Sequence, residues 1–259
     1  MKPVKYKKLY NSKTGNAHQI KFDDEEKYVV KLHKRGAERT LVNEWVGYNL
    51  ARYMRLPIPE AKLVELPHYF IKNTPELNKA VILTEKQLAT HFIDNCGNAH
   101  KNDVKEIVNQ QSLAGIVVLD YWLANVDRTR KNVLFEEVEP GKHYLWALDF
   151  GDSFGSFNWK MEDLDHLPES LMESATHKII ASFIESEEEL RKQITIINAI
   201  PMLLLEEIIE LIPDDWGLTG QERQKLARTL HERRQNVLPG VIEKFIEQVY
   251  RPLHGKKLT

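Results

Sequence analysis

The chain has 259 residues and a formal net charge of -2, with 42% hydrophobic and 29% charged residues. Such a chain can bury the core of one large domain or of two modest lobes, and its composition excludes extensive disorder. The near-neutral charge argues against nucleic acid as the main partner, and the single cysteine, Cys96, excludes an internal disulfide. No stretch reaches the ~20 apolar residues of a membrane span and the N-terminus lacks a signal-peptide core, so we expect a cytoplasmic protein.

Residues 1 to 85 are predicted to form a small lobe built on an antiparallel sheet. Three segments, 4–10, 18–22 and 27–33, alternate in polarity or carry β-branched residues, which is typical of strands. The turn between the first two is polar and contains glycine. Its residues that offer backbone N–H groups, hydroxyls and a cation are Ser12, Lys13, Thr14 and Gly15. This turn is therefore a candidate phosphate-binding loop, with a plain solvated hairpin as the alternative.

A helix and two more strands complete the predicted first lobe. Residues 38–54 repeat apolar side chains at close to the helical period, and Pro57 cannot continue the helix. Residues 61–66 and 79–85 are then predicted to be strands. Residues 86–259 form the second lobe, so the predicted boundary between the lobes follows residue 85.

The second lobe is predicted to be mainly helical. One long helix is expected over residues 104–124, followed by a polar loop and a β-hairpin that turns at residues 139–143. From Pro168 onward, amphipathic segments are bounded by Pro, Gly or Ser/Thr caps, and nothing repeats at a fixed period. The whole chain is therefore predicted to be an α+β protein, with a small antiparallel sheet in one lobe and helices in the other.

The stretch most informative about chemistry covers residues 119–135, and residues 145–155 have a similar pattern. In each stretch, an apolar run ends at an acidic residue. Burying a carboxylate costs free energy, which binding of a metal or transfer of a proton can justify. In the DxxxxN pattern, Asp127 can accept a hydroxyl proton while Asn132 reaches a magnesium ion. Asp149, directly after a strand-like run, would supply a second oxygen ligand. The order and spacing of these residues predict the floor of a phosphoryl-transfer site.

A lysine and a glutamate nearer the N-terminus complete the candidate site. Lys31 ends a predicted strand, and Glu44 lies among apolar residues of the following helix. Kinases use a strand lysine paired with a helix glutamate to hold the α- and β-phosphates of ATP. The alternatives are an exposed lysine and an exposed helix carboxylate. The combination with the acidic residues further along the chain favours the phosphate-binding interpretation.

Other polar residues of the same stretches have weaker predicted roles. Arg128, Arg130 and Lys131 could neutralise phosphate or place an acidic substrate, and Lys131 is also a candidate contact to the γ-phosphate; a solvated surface loop is the alternative. Asp120 is predicted to be a structural carboxylate and Asp152 a supporting or surface group. The sequence contains neither a GxSxG nor a Walker A motif, and its histidines lack metal-binding spacing.

These motifs together resemble the HipA-like kinases, in particular the short forms that consist of little more than the kinase core. The resemblance runs from the first strands to about residue 160 and is strongest in YVVKL, LVNEWVGYNLARYMRLPIPEA, DYWLANVDRTRKNVLF and LDFGDSFG. One departure is Thr129, which stands where the family usually has histidine in the motif DRHxxN.

The resemblance implies a two-lobed, protein-kinase-like fold that binds ATP between its lobes. Lys31 would bind ATP phosphate, Asp127 would be the catalytic base, and Asn132 and Asp149 would bind Mg²⁺. Characterised members of the family phosphorylate proteins on serine or threonine, so the expected acceptor is a protein hydroxyl of unknown identity. A kinase for a small molecule or lipid head group and a pseudokinase that only binds nucleotide are the alternatives.

Overall fold

An antiparallel sheet organises the N-terminal part of the chain. The computed structural model describes residues 1–11, 17–79, 84–98, 104 and 106–255. The strands of this sheet are β1 (Pro3–Leu9), β2 (Ala17–Phe22), β3 (Lys27–Lys31), β4 (Ala61–Glu65) and β5 (Lys86–His91). Their order is β1-β2-β3-β5-β4, with every neighbouring pair antiparallel. The predicted small antiparallel sheet is therefore present.

One face of strand β3 packs in an apolar core, and the other face lies outside that core. Tyr28 and Val30 are buried and pack in an apolar cluster with Ile20. Because side chains alternate along a strand, Val29 and Lys31 lie on the opposite face of the sheet. The lysine is therefore directed away from the core of the sheet.

The fifth strand lies later in the chain than predicted. Lys79 ends a short helix rather than beginning a strand, residues 80–83 lie outside the described part of the chain, and β5 begins at Lys86. The apolar run of residues 79–85 was a weak signal, because such runs do not by themselves distinguish strands. The first sheet extends to His91, past the boundary predicted after residue 85, and the division into lobes at that residue stays a prediction.

Helices flank the first sheet. The predicted helix over residues 38–54 is confirmed as α1 (Thr40–Tyr53). Two short helices, α2 (His68–Lys72) and α3 (Pro75–Lys79), follow the strand β4. Proline precedes α2 and begins α3, positions where its missing N–H is not needed by the helix.

The long helix predicted over residues 104–124 is shorter, because its first half joins a second sheet. This sheet has the order β6-β8-β9-β7, with strands β6 (Cys96–Asn98), β7 (Glu106–Ile107), β8 (Val133–Glu139) and β9 (Lys142–Ala147). After β7, the Asn109 side chain donates to the carbonyl of Leu145 and accepts from its N–H, each at 3.0 Å. These side-chain bonds replace the backbone pairing of a strand at this point. The helix α4 (Leu113–Leu123) begins only after them.

Helix α4 is the centre of the C-terminal part. All eleven of its residues are buried, which is expected of a helix that is apolar all round. The helices that follow are α5 (Ala175–Ala181), α6 (Glu187–Asn198), α7 (Met202–Glu210), α8 (Gly220–Asn236), α9 (Leu238–Phe245) and α10 (Arg251–Gly255). Trp122 of α4 donates to the carbonyl of Leu230 in α8 at 2.8 Å, and Arg233 of α8 donates to the carbonyl of Trp122 at 3.0 Å.

Helix α4 ends where the candidate catalytic loop begins. Ala124 has φ 50°, a left-handed conformation that stops the helix. The N–H groups of Phe154 and Gly155 donate to the carbonyls of Leu123 and Ala124, at 2.7 and 3.0 Å. The end of α4 therefore holds the segment that follows β9. Within the described part of the chain, no helix combines the length and apolar character needed to cross a bilayer.

Candidate active site

A cleft of about 1260 Å³ collects most of the predicted site residues. Its walls come from β3 and β5, from the loop after α4, from the segment after β9, and from residues 168–174 with the first two residues of α5. The residues with a predicted role that line it are Lys31, Asp127, Arg128, Arg130, Lys131, Asn132, Asp149 and Asp152. Glu44 lies fully buried behind Lys31. The predicted loop residues Ser12, Lys13, Thr14 and Gly15 lie outside the described residues.

Lys31 joins three parts of the chain at one point. Its ammonium group donates to Oε1 of Glu44 and, at 2.9 Å, to Oδ1 of Asp149. The other carboxylate oxygen of Glu44 accepts from the N–H of Phe150 at 3.1 Å. Strand β3, helix α1 and the segment after β9 are thus connected through the charged groups of the site.

The electrostatics of this group leave Asp149 ionised. Burial would lower the pKa of Lys31, but the nearby Asp149 and Glu44 carboxylates outweigh it and raise that pKa. Burial would likewise raise the pKa of Asp149, yet Lys31 holds it below its usual range. For Glu44, which is completely buried, the burial effect wins and raises the pKa to about 8. Asp149, whose pKa Lys31 holds below its usual range, therefore carries a negative charge at neutral pH.

The backbone at Asp149 adopts a conformation that aims its carboxylate. Asp149 has φ 63°, which is uncommon outside glycine and occurs most often where function requires it. Its Oδ1 accepts the N–H of Gly151 at 3.1 Å. A Cβ at position 151 would lie 3.1 Å from Oδ1 of Asp149 and 3.3 Å from Oε1 of Glu44, so glycine gives the acidic groups their room.

The loop after α4 brings Asp127 and Asn132 to the same wall of the cleft. The amide nitrogen of Asn132 donates to the Asp127 carbonyl at 2.6 Å, and the N–H of Thr129 donates to the same oxygen at 2.8 Å. Asp127 is half-buried and Asn132 is buried, whereas Lys131 between them is exposed. The N–H of Leu148 donates to the Asn132 carbonyl at 2.9 Å, which joins this loop to the segment that carries Asp149.

Arg128 does not have the predicted role. It was expected to contact phosphate or substrate, but it is only 3% exposed. Its guanidinium group forms a two-pronged pair with Asp120, with both N–O distances at 2.8 Å. A neighbouring carboxylate on the apolar helix α4 made this pairing available, and a buried charge is costly without a partner. The charge of Arg128 is therefore balanced inside the protein by Asp120.

Asp120 is the hub of a buried polar network. Besides Arg128, its carboxylate accepts from the Asn125 amide at 2.8 Å and from Nε2 of His177 at 2.9 Å. Burial would raise the pKa of Asp120, but Arg128 and His177 outweigh it and lower the pKa to about 2. These contacts agree with the interpretation of Asp120 as a structural carboxylate.

Asn43 is a residue that the sequence interpretation missed. Its amide nitrogen donates to the carbonyls of Gly151, Ser153 and Ser156, at 2.7, 2.9 and 2.9 Å. Its oxygen accepts from the indole of Trp159 at 2.8 Å. Asn43 thus fixes the segment after Asp149 to helix α1. The available signal was an asparagine inside a helix, where this residue type is unfavourable without a partner.

Asn132 and Asp149 have the chemistry of magnesium ligands. Because the amide nitrogen of Asn132 is engaged by the Asp127 carbonyl, its oxygen is the atom left to act as a ligand. Asp149 adds an ionised carboxylate, and Mg²⁺ prefers such oxygen ligands, using one or two from the protein with phosphates and water. Among the described residues no group of three or more His, Cys, Asp or Glu side chains could hold a metal without such help.

Replacing Asp120 should test the buried network. Asp120→Asn leaves Arg128 buried without a counter-charge, and losing one partner of a buried pair costs roughly 3–5 kcal/mol. Urea unfolding at pH 7 should show this loss of stability. The folded pKa of Asp120, about 2, lies below its ordinary value of 3.8. The stabilisation by ionised Asp120 is therefore complete above about pH 4 and is lost as the pH falls towards 2. The difference in unfolding free energy between Asp120→Asn and the wild type should decrease over the same pH range. Asp165→Asn, at an exposed ion pair with Lys225, is the control and should change stability little.

Comparison with known proteins places this geometry in a family. Among solved structures, the chain is similar to the Helicobacter pylori proinflammatory kinase CtkA, with a TM-score of 0.61 and 14% identity over 94% of this chain and 96% of that one. It is also similar to the Golgi casein kinase solved with Mn and ADP, with a TM-score of 0.54 and 13% identity over 96% and 74%. These similarities confirm the two-lobed, kinase-like α+β fold.

The sequence comparisons add the family itself. No curated protein sequence matches the chain. The HipA-like kinase family, in contrast, matches residues 10–248, which is most of the chain. This match confirms the resemblance seen in the motifs around Lys31, Asp127 and Asp149. The chain belongs to the HipA-like kinase family.

Proposed function

We propose that this chain transfers the γ-phosphate of ATP to a serine or threonine hydroxyl of a protein. The observation that carries the proposal is the convergence of Lys31, Asp127, Asn132 and Asp149 on one cleft. Phosphoryl transfer requires a lysine held by carboxylates, together with an acid and an amide in one loop and a second acid nearby. In this chain the second acid is Asp149, after β9.

Lys31 is proposed to hold the phosphates of ATP. It lies on the cleft face of β3, and Glu44 and Asp149 keep its ammonium group charged and in place. A fixed positive charge in a largely buried site stabilises phosphate more than a mobile surface lysine would. Lys131, exposed on the cleft wall, is proposed to contact the γ-phosphate, and residues 12–15 are proposed to contribute to phosphate binding.

Asn132 and Asp149 are proposed to bind Mg²⁺ together with the phosphates. When bound, the metal would neutralise the charge that develops between the β- and γ-phosphates. The nucleotide and manganese in the Golgi casein kinase structure support this proposal, since that protein has the same fold. The two residues of this chain lie on adjoining segments, joined by the bond from the Leu148 N–H to the Asn132 carbonyl.

Asp127 is proposed to act as the base. It accepts the proton of the acceptor hydroxyl while that oxygen attacks the γ-phosphorus, and the bond from this phosphorus to the bridging oxygen of ADP breaks. The hydrogen bonds to the Asp127 carbonyl from Asn132 and Thr129 hold its backbone in the loop. A positioned base is effective because its geometry is set before the reaction.

The size of the cleft supports a protein acceptor. Pockets for small ligands have volumes of roughly 300–1,000 Å³, and the cleft here measures about 1260 Å³. It also extends along residues 171–176 and along Thr129 and Arg130 of the loop. This arrangement leaves room for a segment of an acceptor protein beside the nucleotide. We place the protein in the cytoplasm as part of the same proposal.

Replacing Lys31 tests the nucleotide side of the cleft. Lys31→Met removes the cation shared by Glu44 and Asp149, and losing one preorganised electrostatic partner typically costs ~10²- to 10³-fold in rate. We expect weak ATP binding and almost no transfer of labelled phosphate, with unchanged helix content by circular dichroism. Lys27→Met is the control, because Lys27 begins the same strand but pairs with Asp94 outside the cleft. ATP turnover near the wild-type rate in Lys31→Met would contradict the assignment.

Replacing Asp127 tests the base. Asp127→Asn keeps the size of the side chain but cannot accept the proton, so phosphate transfer should fall by ~10²- to 10⁴-fold while ATP still binds. The assay uses labelled ATP and magnesium, with the pure protein alone and with cell lysate, and follows label on the protein itself and on other proteins. The control Asp165→Asn should transfer at the wild-type rate. Undiminished transfer by Asp127→Asn would exclude Asp127 as the base.

Replacing Asp149 tests the metal site. Because Asp149 is the ionised ligand, Asp149→Asn should remove the part of ATP affinity that depends on magnesium, whereas Asp127→Asn should keep it. Calorimetric titration of ATP with and without magnesium, into the wild type and both variants, measures this difference. Equal strengthening by magnesium in all three proteins would show that Asp149 is not a ligand.

A further inference from the structure

The guanidinium group of Arg128 contacts the residues on both sides of Asp149, and Arg128 is one of the residues that border the cleft. Nη1 donates to the carbonyl of Leu148, the residue before Asp149. The guanidinium carbon lies 5.2 Å from the ring centre of Phe150, the residue after it. The same Nη1 donates at 3.1 Å to the carbonyl of Asn132, the other proposed metal ligand. The Arg128 side chain therefore contacts the backbone of Asn132 and the two residues on either side of Asp149.

Arg128 is itself held from behind. Its Nε and Nη2 atoms donate to the two oxygens of Asp120, each at 2.8 Å, and the Asp120 side chain is fully buried on α4. The Arg128 carbonyl accepts from the hydroxyl of Ser174 at 2.8 Å. Because the guanidinium group is planar and its donors are fixed relative to one another, anchoring one edge sets the position of the rest.

We propose that Arg128 is a positioning residue that sets the separation of Asn132 and Asp149 and thereby the affinity of the site for Mg²⁺. The inference rests on the function proposed above. Arg128 contacts no metal ligand atom; it holds the backbone at Asn132 and next to Asp149. Lysine cannot reproduce this role, since one ammonium group cannot bond two carbonyls and both oxygens of a carboxylate in one plane.

The test is the magnesium dependence of Arg128→Lys. Groups that orient metal ligands typically change metal affinity by about 10- to 100-fold when replaced. We therefore expect the magnesium concentration for half-maximal ATP turnover to rise about tenfold or more. Calorimetry of ATP without magnesium should give an unchanged affinity, because Lys31 and its partners are intact.

Arg223→Lys is the matched control. Arg223 is 7% exposed and donates to the carbonyls of Ile209 and Ile212, at 2.6 and 2.9 Å, in the region of α7 and α8. The Arg223→Lys variant should be less stable than the wild type, as Arg128→Lys is. It should reach half-maximal ATP turnover at the same magnesium concentration as the wild type. If Arg128→Lys lowered the melting temperature but left the magnesium requirement at the wild-type value, Arg128 would be structural only and the proposal would fall.

A second variant serves if Arg128→Lys does not fold. Phe150→Leu keeps Arg128 and its hydrogen bonds but removes the ring beneath the guanidinium group. It should raise the magnesium requirement in the same direction by a smaller factor, and an unchanged requirement would again contradict the proposal. The wild type separates the two levels of inference: absence of magnesium-dependent ATP turnover in it would overturn the proposed function itself.

Discussion

The whole site depends on one cation shared between two carboxylates. Lys31 contacts Glu44 from α1 and Asp149 from the segment after β9, so three distant parts of the chain meet through a single ammonium group. Without the lysine, the fully buried Glu44 would lose its cationic partner, and a buried charge without a partner is costly. The contact that joins these three segments would thus also prepare the charges for the nucleotide and the metal proposed above.

Helix α1 supports this arrangement through neighbouring residues. Asn43 holds three carbonyls of the segment after Asp149, and Glu44 accepts the N–H of Phe150. One turn further on, a Cβ at Gly47 would lie 2.3 Å from the ring of Phe150, so only glycine lets that ring pack against the helix. A single helix face therefore determines both the backbone path and the side-chain packing beside Asp149.

The sequence predicted the parts of the site that depend on local order, and missed those that depend on distant partners. The strand lysine, the helix glutamate and the DxxxxN pattern carry a recognisable spacing. The structure brings the lysine and the DxxxxN residues to one cleft, with the glutamate buried behind the lysine. Arg128 could not be assigned, because its surroundings come from Asp120 and from Leu148, which only the fold brings together.

The errors in secondary structure have the same origin. Residues 104–112 have a helical apolar pattern, but Asn109 bonds to the backbone of Leu145, and no local propensity reports on a partner so far along the chain. The fifth strand of the first sheet is β5, which pairs with β3 and β4, and those partners lie far from it in the sequence. The prediction was most accurate where neighbours in sequence are also neighbours in space.

The complete burial of α4 has a consequence for the order in which the protein matures on the ribosome. Every chemical group proposed for the reaction precedes residue 153, yet the helix that supports the catalytic loop is enclosed by α8 through Trp122, Leu230 and Arg233. An apolar helix without its surroundings leaves its surface in water, which opposes folding. The nascent chain therefore carries all of its reactive groups well before it can assemble them, and activity must await the synthesis of the C-terminal helices.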